Sequence, residues 1–335
     1  MEKTLDTSIK INAPAHVIWA ILDDIERYPE WNPLVPELKG KTMVGRQVEG
    51  ILTREGMPTV PLKPTLTAIV GARELRWLSE RPTPGEFRAE HYFVLEQNDD
   101  GTTTLIHNED FSGTFLTQVW DGINTLGRAA YIRMNEALKE RAEALATEEP
   151  YVHASLDNTP SDKVSLQGKT LKCSCAENPV VINVNAPIYH NHLCGCSKCW
   201  KPEDALLALI AVVADGQLTV AENNDKLQIV DETQSIKRYA CSSCGTHMYG
   251  TVEDRDHHFY GLNFIHPELV TDGQIPVPEF AAFVSSLVET GLEPAQMVSI
   301  RTKLEDLGIP SYDVFSPEIM DLIAWHKVKL EKCDQ

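Results

Sequence analysis

The distribution of cysteines constrains this chain more than any other feature. Eight occur in 335 residues, and none precedes residue 173. They form a Cys-x-Cys turn at Cys173 and Cys175, a compact trio at Cys194, Cys196 and Cys199, and a Cys-x-x-Cys turn at Cys241 and Cys244. Cys333 stands alone near the end. Short turns of this kind place two thiolates on one tetrahedral zinc ion. The pairs 173/175 and 241/244 therefore make one four-sulfur site, closed by its own ligands and structural in role. The trio supplies three sulfurs from six residues. Four plus three leaves a second zinc one position short, which is the pattern of a catalytic site. Two readings of the trio stay open at this point. A nearby histidine (His190, His192 or His247) would complete it as a second structural site. Without one, its fourth position is free for an incoming ligand. Gly195 and Gly245 fit tight turns where a backbone wraps a metal, and Cys333 reads as a bystander.

The compartment matters to this reading. No charged stretch followed by an apolar run opens the chain, so no secretory signal is expected. The longest apolar run, residues 205–214, is too short to span a bilayer. A cytoplasmic protein follows, where clustered cysteines bind metal or do chemistry and rarely form disulfides. The formal charge is −19. Residues 1–150 hold 16 basic and 24 acidic groups (−8), leaving −11 for the rest. No basic block stands out, which argues against nucleic acid or an anionic membrane as a partner.

The order of elements suggests two α+β domains, residues 1–147 and 166–331, joined by a polar, proline-containing linker over 148–165. The first begins with a strand over 5–11 and a helix carrying Val17, Ile18, Ile21 and Leu22. Strands follow around 47–53, 64–70, 74–79, 86–96 and 103–111, the last two joined by a turn over 98–101. A long amphipathic helix over 117–146 ends it, with Val119, Ile123, Leu126, Ala130, Met134, Leu138 and Ala142 on its apolar face. The second domain reads as short strands, among them 180–184, 208–213, 218–220 and 226–229. Three helices are expected after them, over 278–290, 294–307 and 317–330, each with proline in its first turn.

The first domain resembles the START-like helix-grip superfamily, in its polyketide-cyclase-like branch. The resemblance rests on INAPA at 11–15, YPEWNP at 28–33, HYF at 91–93 and HNEDFSG at 107–113. It implies a curved antiparallel sheet around the long helix, with an apolar cavity between them. Trp19, Trp31, Trp77, Tyr92 and Trp120 are candidates to line such a cavity or simply to fill the core. His91, His107 and Glu109 are its polar candidates, although alternation along strands also allows them to face solvent.

The second domain resembles the glutathione-dependent formaldehyde-activating enzymes, the S-(hydroxymethyl)glutathione synthases. The matching runs are HNHLCGCSKCWKPE at 190–203, CSSCGTHMYG at 241–250, RDHHFYGL at 255–262 and PEFAAFVSS at 278–286. The resemblance implies a mainly β, Mss4-like domain with two zinc ions per chain. Cys173, Cys175, Cys241 and Cys244 would hold the structural ion. Cys194, Cys196 and Cys199 would hold the catalytic one. The implied partners are glutathione and a small aldehyde, and the reaction is that of a carbon–sulfur lyase in formaldehyde detoxification. An acidic protein must find local cations for the two carboxylates of glutathione. Lys198 and Lys201 are the candidates, with Lys237, Arg238 and Arg255 behind them and Trp200 to pack over the peptide. His247, His257, His258 and His266 are candidates to move protons. The fused first domain allows two other readings. One is a glutathione-adduct lyase or transferase acting on a larger apolar substrate, and the other is a non-catalytic zinc scaffold carrying an apolar ligand.

Overall fold

The structure is a computed structural model that describes residues 1–147, 151–156, 165–271 and 275–333, with side chains described as far as residue 329. The chain divides into two compact units. One is Met1–Glu149 with Glu293–Ser299, and the other is Pro150–Leu292 with Ile300–Gln335. Of the linker expected over 148–165, residues 148–150 and 157–164 lie outside the described residues. Between them, Val152 and His153 are buried. The Val152 carbonyl accepts from Leu206 N–H, which ties this segment into the second unit.

The first unit is built on a five-stranded antiparallel sheet. Its spatial order is Glu2–Ile11, Thr103–Ser112, Arg88–Gln97, Glu74–Glu80, Thr65–Val70. Strict alternation decides which face is buried. Ala89, His91, Phe93 and Leu95 turn inward from one strand, and Leu105, His107 and Phe111 from its neighbour. The expected hairpin forms, with Gly101 at φ 81° completing its turn. Three short strands, Glu37–Lys39, Glu49–Leu52 and Val60–Leu62, make a second small sheet. The long helix, Arg128–Thr147, packs Ala130, Tyr131, Met134, Leu138 and Ala142 into the core. A π-helical turn at Ile123–Gly127 precedes it. That turn shifts the helical phase, so Leu126, expected on the apolar face, is exposed, while Tyr131 faces inward.

The second unit packs two sheets together. Seven strands run in the order Leu227–Ile229, Ile236–Cys241, His247–Val252, Leu262–Ile265, Ala208–Ala214, His190–Cys194, Ala281–Ala282. Three more, Leu218–Glu222, Val181–Val184 and Thr170–Lys172, form the smaller sheet. Leu171, Ile182 and Val184 meet Ala211, Val213 and Ile265 in one core. Helices Met297–Asp306 and Pro317–Cys333 form where proline-led helices were expected. The helix expected over 278–290 does not. Ala281–Ala282 instead pairs in parallel with Leu193 and Cys194 at the sheet edge. Only the four residues Ser286–Glu289 are α-helical there. Backbone groups on the neighbouring strand outweigh the local preference: Leu193 N–H donates to Phe280 O, and Gly195 N–H to Ala282 O.

Candidate metal centres and the pocket beside them

The strand Thr170–Lys172 runs directly into Cys173 and Cys175, and Ile236–Cys241 ends at Cys241. Gly245, at φ 74°, turns the chain after Cys244 in a conformation that favours glycine. The four sulfurs come within 4.8 Å of one another. Cys175 Sγ and Cys241 Sγ are 3.7 Å apart, close to the roughly 3.8 Å edge of a zinc–thiolate tetrahedron and far beyond a disulfide bond. Val180 N–H donates to Cys173 Sγ at 3.1 Å, a contact that suits a thiolate.

The trio sits where strand His190–Cys194 leaves the sheet. Gly195 is needed for close approach, since a Cβ there would meet the Phe283 carbonyl oxygen at 2.2 Å. The loop then returns, bringing Cys196 Sγ to 3.1 Å and Cys194 Sγ to 3.5 Å from Cys199 Sγ. This crowding holds the Cys194 thiol well above its ordinary value. Three soft donors packed so closely are compatible with zinc, which relieves the repulsion between thiolates. Among the described residues no histidine or carboxylate joins the trio within 4.8 Å.

A pocket of about 230 Å³ opens on the trio. His192, Lys198, Trp200, Arg238, His247 and His266 line it, with Phe259, Phe264, Phe283 and Phe315 as an apolar wall. Lys198 is exposed and unlike Lys201, whose ammonium donates to the Cys196 carbonyl at 3.0 Å. Lys237 lies against Glu232, and Arg255 is exposed, neither lining the pocket. Of the histidines proposed as ligands or proton carriers, His192 stacks on Phe280, and His247 lies parallel to Trp200. His190 is outside the pocket lining, as are His257 and His258, which stack on each other. His266 meets Trp200 edge to face at 5.0 Å.

Behind His266 lies a buried group that the sequence did not reveal. Glu268 Oε1 faces His266 Nδ1 at 3.5 Å and His153 Nε2 at 3.7 Å. Burial pushes this carboxyl up, but the two imidazoles outweigh it and hold Glu268 below its ordinary value. His153 Nδ1 accepts from Ser155 N–H, which leaves its Nε2–H for Glu268. His266 therefore has a carboxylate near Nδ1, and the residue lines the pocket. The run His266-Pro267-Glu268 was the available signal, but His153 is too distant in sequence to suggest the third member.

In the first unit, His91, His107 and Glu109 all turn to the inner face. Trp77 and Phe93 are core residues there, and Trp19, Trp31 and Trp120 are partly buried against that core. A cavity of about 790 Å³ opens beside them, lined by Glu109, Tyr131 and Arg54 among mostly apolar side chains. None of the tryptophans lines it, and neither does Tyr92.

Comparison with known proteins agrees with both units. Residues 2–147 match the family model described as polyketide cyclase / dehydrase and lipid transport. Residues 169–285 match the model described as glutathione-dependent formaldehyde-activating enzyme. A Podospora anserina protein named for that same activity is 48% identical over 186 residues, covering 55% of this chain and 86% of the relative. Among solved structures, the Zhui aromatase/cyclase from Streptomyces sp. R1128 is 16% identical, with a TM-score of 0.35, over 43% of this chain and 94% of its own. A START superfamily protein from Mycobacterium smegmatis is 17% identical, with a TM-score of 0.35, over 42% and 98%. On the extent and identity of the match across its second unit, the chain belongs to the glutathione-dependent formaldehyde-activating enzyme family.

Proposed function

We propose that the chain is an S-(hydroxymethyl)glutathione synthase, a cytoplasmic carbon–sulfur lyase that joins glutathione to formaldehyde with two zinc ions per chain. Its first unit would serve as an accessory domain for an apolar small molecule. One observation carries the reading: three sulfurs, joined by no fourth donor among the described residues, form the floor of a pocket with cationic and aromatic walls. Cys173, Cys175, Cys241 and Cys244 would hold one ion, and Cys194, Cys196 and Cys199 the other. Zinc held by the trio would supply Lewis acidity that lowers the pKa of a bound thiol, favouring the glutathione thiolate.

The remaining work falls to the chain. Lys198 and Arg238 offer charge to the glutathione carboxylates, and the flat face of Trp200 supports the peptide. Lys201 keeps the trio loop in place through the Cys196 carbonyl. The phenylalanine wall excludes water from the reacting atoms. His266 Nε2 accepts the proton released by the glutathione thiol, and Glu268 steadies the resulting imidazolium at Nδ1. The sulfur then bonds to the aldehyde carbon, the carbonyl π pair moves to oxygen, and His266 returns the proton to that oxygen. Holding both reactants together makes the addition effectively unimolecular.

The reading is tested by following [13C]formaldehyde and glutathione exchange by NMR. The zinc-loaded protein should accelerate formation of the hemithioacetal, and Cys196→Ser should not. Exchange at the uncatalysed rate with wild-type protein would refute it.

A further inference from the structure

The cavity of the first unit contains an acid–base centre that the chemistry at the trio does not use. We propose that this cavity is a second, metal-independent site, taking an apolar ketone and exchanging a proton between Glu109 and the carbon beside the carbonyl, with Arg54 holding the carbonyl oxygen.

A buried hydrogen-bond chain runs from Thr7 to Glu109, and its direction follows from the Thr7 end. Thr7 Oγ1 donates to the His107 carbonyl at 2.6 Å, so toward Asn135 it can only accept. Asn135 Nδ2 is its donor, at 3.0 Å. That fixes the amide, and Asn135 Oδ1 faces His107 Nδ1 at 2.6 Å. His107 Nδ1 must then carry a proton. Desolvation by burial is the main force on this imidazole, bringing it down to about 3 despite the Asn135 contact, so it is neutral and its Nε2 is bare. His91 Nε2, 2.8 Å away, is therefore the donor. Burial and the neighbouring His107 keep His91 neutral as well, so its Nδ1 is an acceptor. The hydroxyl of Tyr131 lies 3.2 Å from that nitrogen and also makes a close contact with Glu109 Oε2.

Tyr131 has one proton and two acceptors. When it donates to His91, the contact with Glu109 requires the carboxyl to be protonated. When Glu109 is ionised, the tyrosine proton turns to the carboxylate and leaves His91 Nδ1 unpaired. The hydroxyl can therefore serve only one acceptor at a time, and one hydroxyl rotation accompanies loss of the Glu109 proton. Burial acts in the same direction as the neighbouring Asp110, while Tyr131 and the charge of Arg54 oppose it. The balance raises Glu109 to about 7. A carboxyl poised near neutrality is what proton exchange needs.

The surroundings indicate the ligand. The exposure Glu109 retains is to a cavity of about 790 Å³, within the range of small-molecule sites. Its walls are largely apolar, with Leu52, Phe87, Phe111, Val119 and Ile123 among them. Arg54 lines the same cavity, and its positive charge acts on Glu109. A guanidinium beside a titrating carboxyl suits a molecule with a large apolar body and one polar oxygen. In the exchange, the C–H bond breaks and its proton passes to Glu109. The electron pair moves onto the carbonyl oxygen as an enolate against Arg54, and the proton returns. The step needs no oxidant or cofactor. His91, His107 and Asn135 act through Tyr131 and are positioning residues.

This proposal rests on the reading of the first unit as an apolar-ligand domain, so binding and exchange are measured separately. The intact protein is incubated in D2O with cyclohexanone, 2-tetralone and androstenedione. Saturation-transfer NMR reports binding, and loss of the α-proton signal reports exchange. Acceleration on the order of 100-fold over buffer is expected for at least one ketone, rising with pH through a midpoint near neutrality. Glu109→Gln should bind that ketone and exchange it at the buffer rate. Tyr131→Phe should move the pH midpoint, which a purely structural role would not do. Absence of binding by all three ketones would overturn both this proposal and the ligand-domain reading. Binding without acceleration, or unchanged exchange in Glu109→Gln, would overturn the proposal alone.

Discussion

The two units assemble their polar chemistry in opposite ways. In the first, Thr7, His91, His107 and Glu109 sit on regular strands and Tyr131 and Asn135 on the long helix, and the chain from Thr7 to Glu109 is linked by hydrogen bonds within the protein. In the second, the sulfurs lie at strand ends and in turns, crowded together in a way compatible with a bound cation. The first arrangement is linked within the protein and holds its histidines neutral by burial. On the proposed function, the second would be completed by metal. The contrast is between a site whose protonation is set by packing and one whose folding and chemistry would depend on an ion.

Four measurements would sharpen or break that contrast. The largest effect should follow removal of metal. Structural zinc binding is worth on the order of 10 kcal/mol in small cysteine sites, so a strong chelator should abolish the cooperative thermal transition of the second unit. The imidazole NMR signals of His91 and His107 should survive the same treatment, because no sulfur or metal lies in their network. Unchanged melting of the second unit after chelation would mean that the four-cysteine cluster does not bind metal.

The next effect concerns pH. Glu109 binds its proton more tightly in the folded state (about 7) than its ordinary value of 4.5. Its contribution to stability is therefore full below about 4.5 and is lost as pH rises through about 7. Arg54, Asp110, Tyr131, His91 and His107 are the ionisable groups around it. His107 works the other way, its contribution being present above 6.5 and lost as pH falls toward about 3. Comparing wild type with Glu109→Gln cancels the histidines. The wild type should lose about 2 kcal/mol relative to the variant between pH 5 and pH 8, after discounting for solvent in the cavity. A pH-independent difference in urea midpoints would show that Glu109 titrates normally.

Asn135→Leu should be slightly milder. It leaves His107 Nδ1–H buried without an acceptor, a loss of about 1–2 kcal/mol in denaturant unfolding. It should also free the histidine chain to reverse, visible as a change in the 15N shifts of both imidazoles. The smallest effect expected is that of Lys198→Ala. An exposed ammonium facing a carboxylate is worth up to about 1 kcal/mol, so glutathione affinity should fall by roughly 5-fold, and less at high salt. No change in affinity would remove Lys198 from the glutathione site.

Much of this was legible in the sequence, and unequally so. Cysteine spacing announced both sulfur clusters, because few local patterns other than metal turns bring thiols so close. Period-two alternation located the long strands but allowed His91 and His107 either face, and packing against the long helix turns them inward. Three things were hidden. Residues 278–290 carry a proline-led helical pattern, yet the free edge of strand His190–Cys194 captures Ala281 and Ala282. Edge hydrogen bonds are set by tertiary context and leave no local signature. The phase of the long helix depends on a π-turn at Ile123–Gly127 that no residue type marks, and that turn decides that Tyr131 reaches Glu109 while Leu126 does not stay inside. Glu268 was invisible for a related reason, since its role comes from His153, more than a hundred residues away.

On the proposed function, the trio holds zinc with one position left for a thiol. The decisive measurement is metal content together with a glutathione titration, on the intact protein and on Cys196→Ser. Two zinc ions per chain are expected in the intact protein, with glutathione binding that disappears along with one of them in the variant. Two zinc ions with no glutathione binding by the intact protein would contradict it, because the trio would then be a closed site.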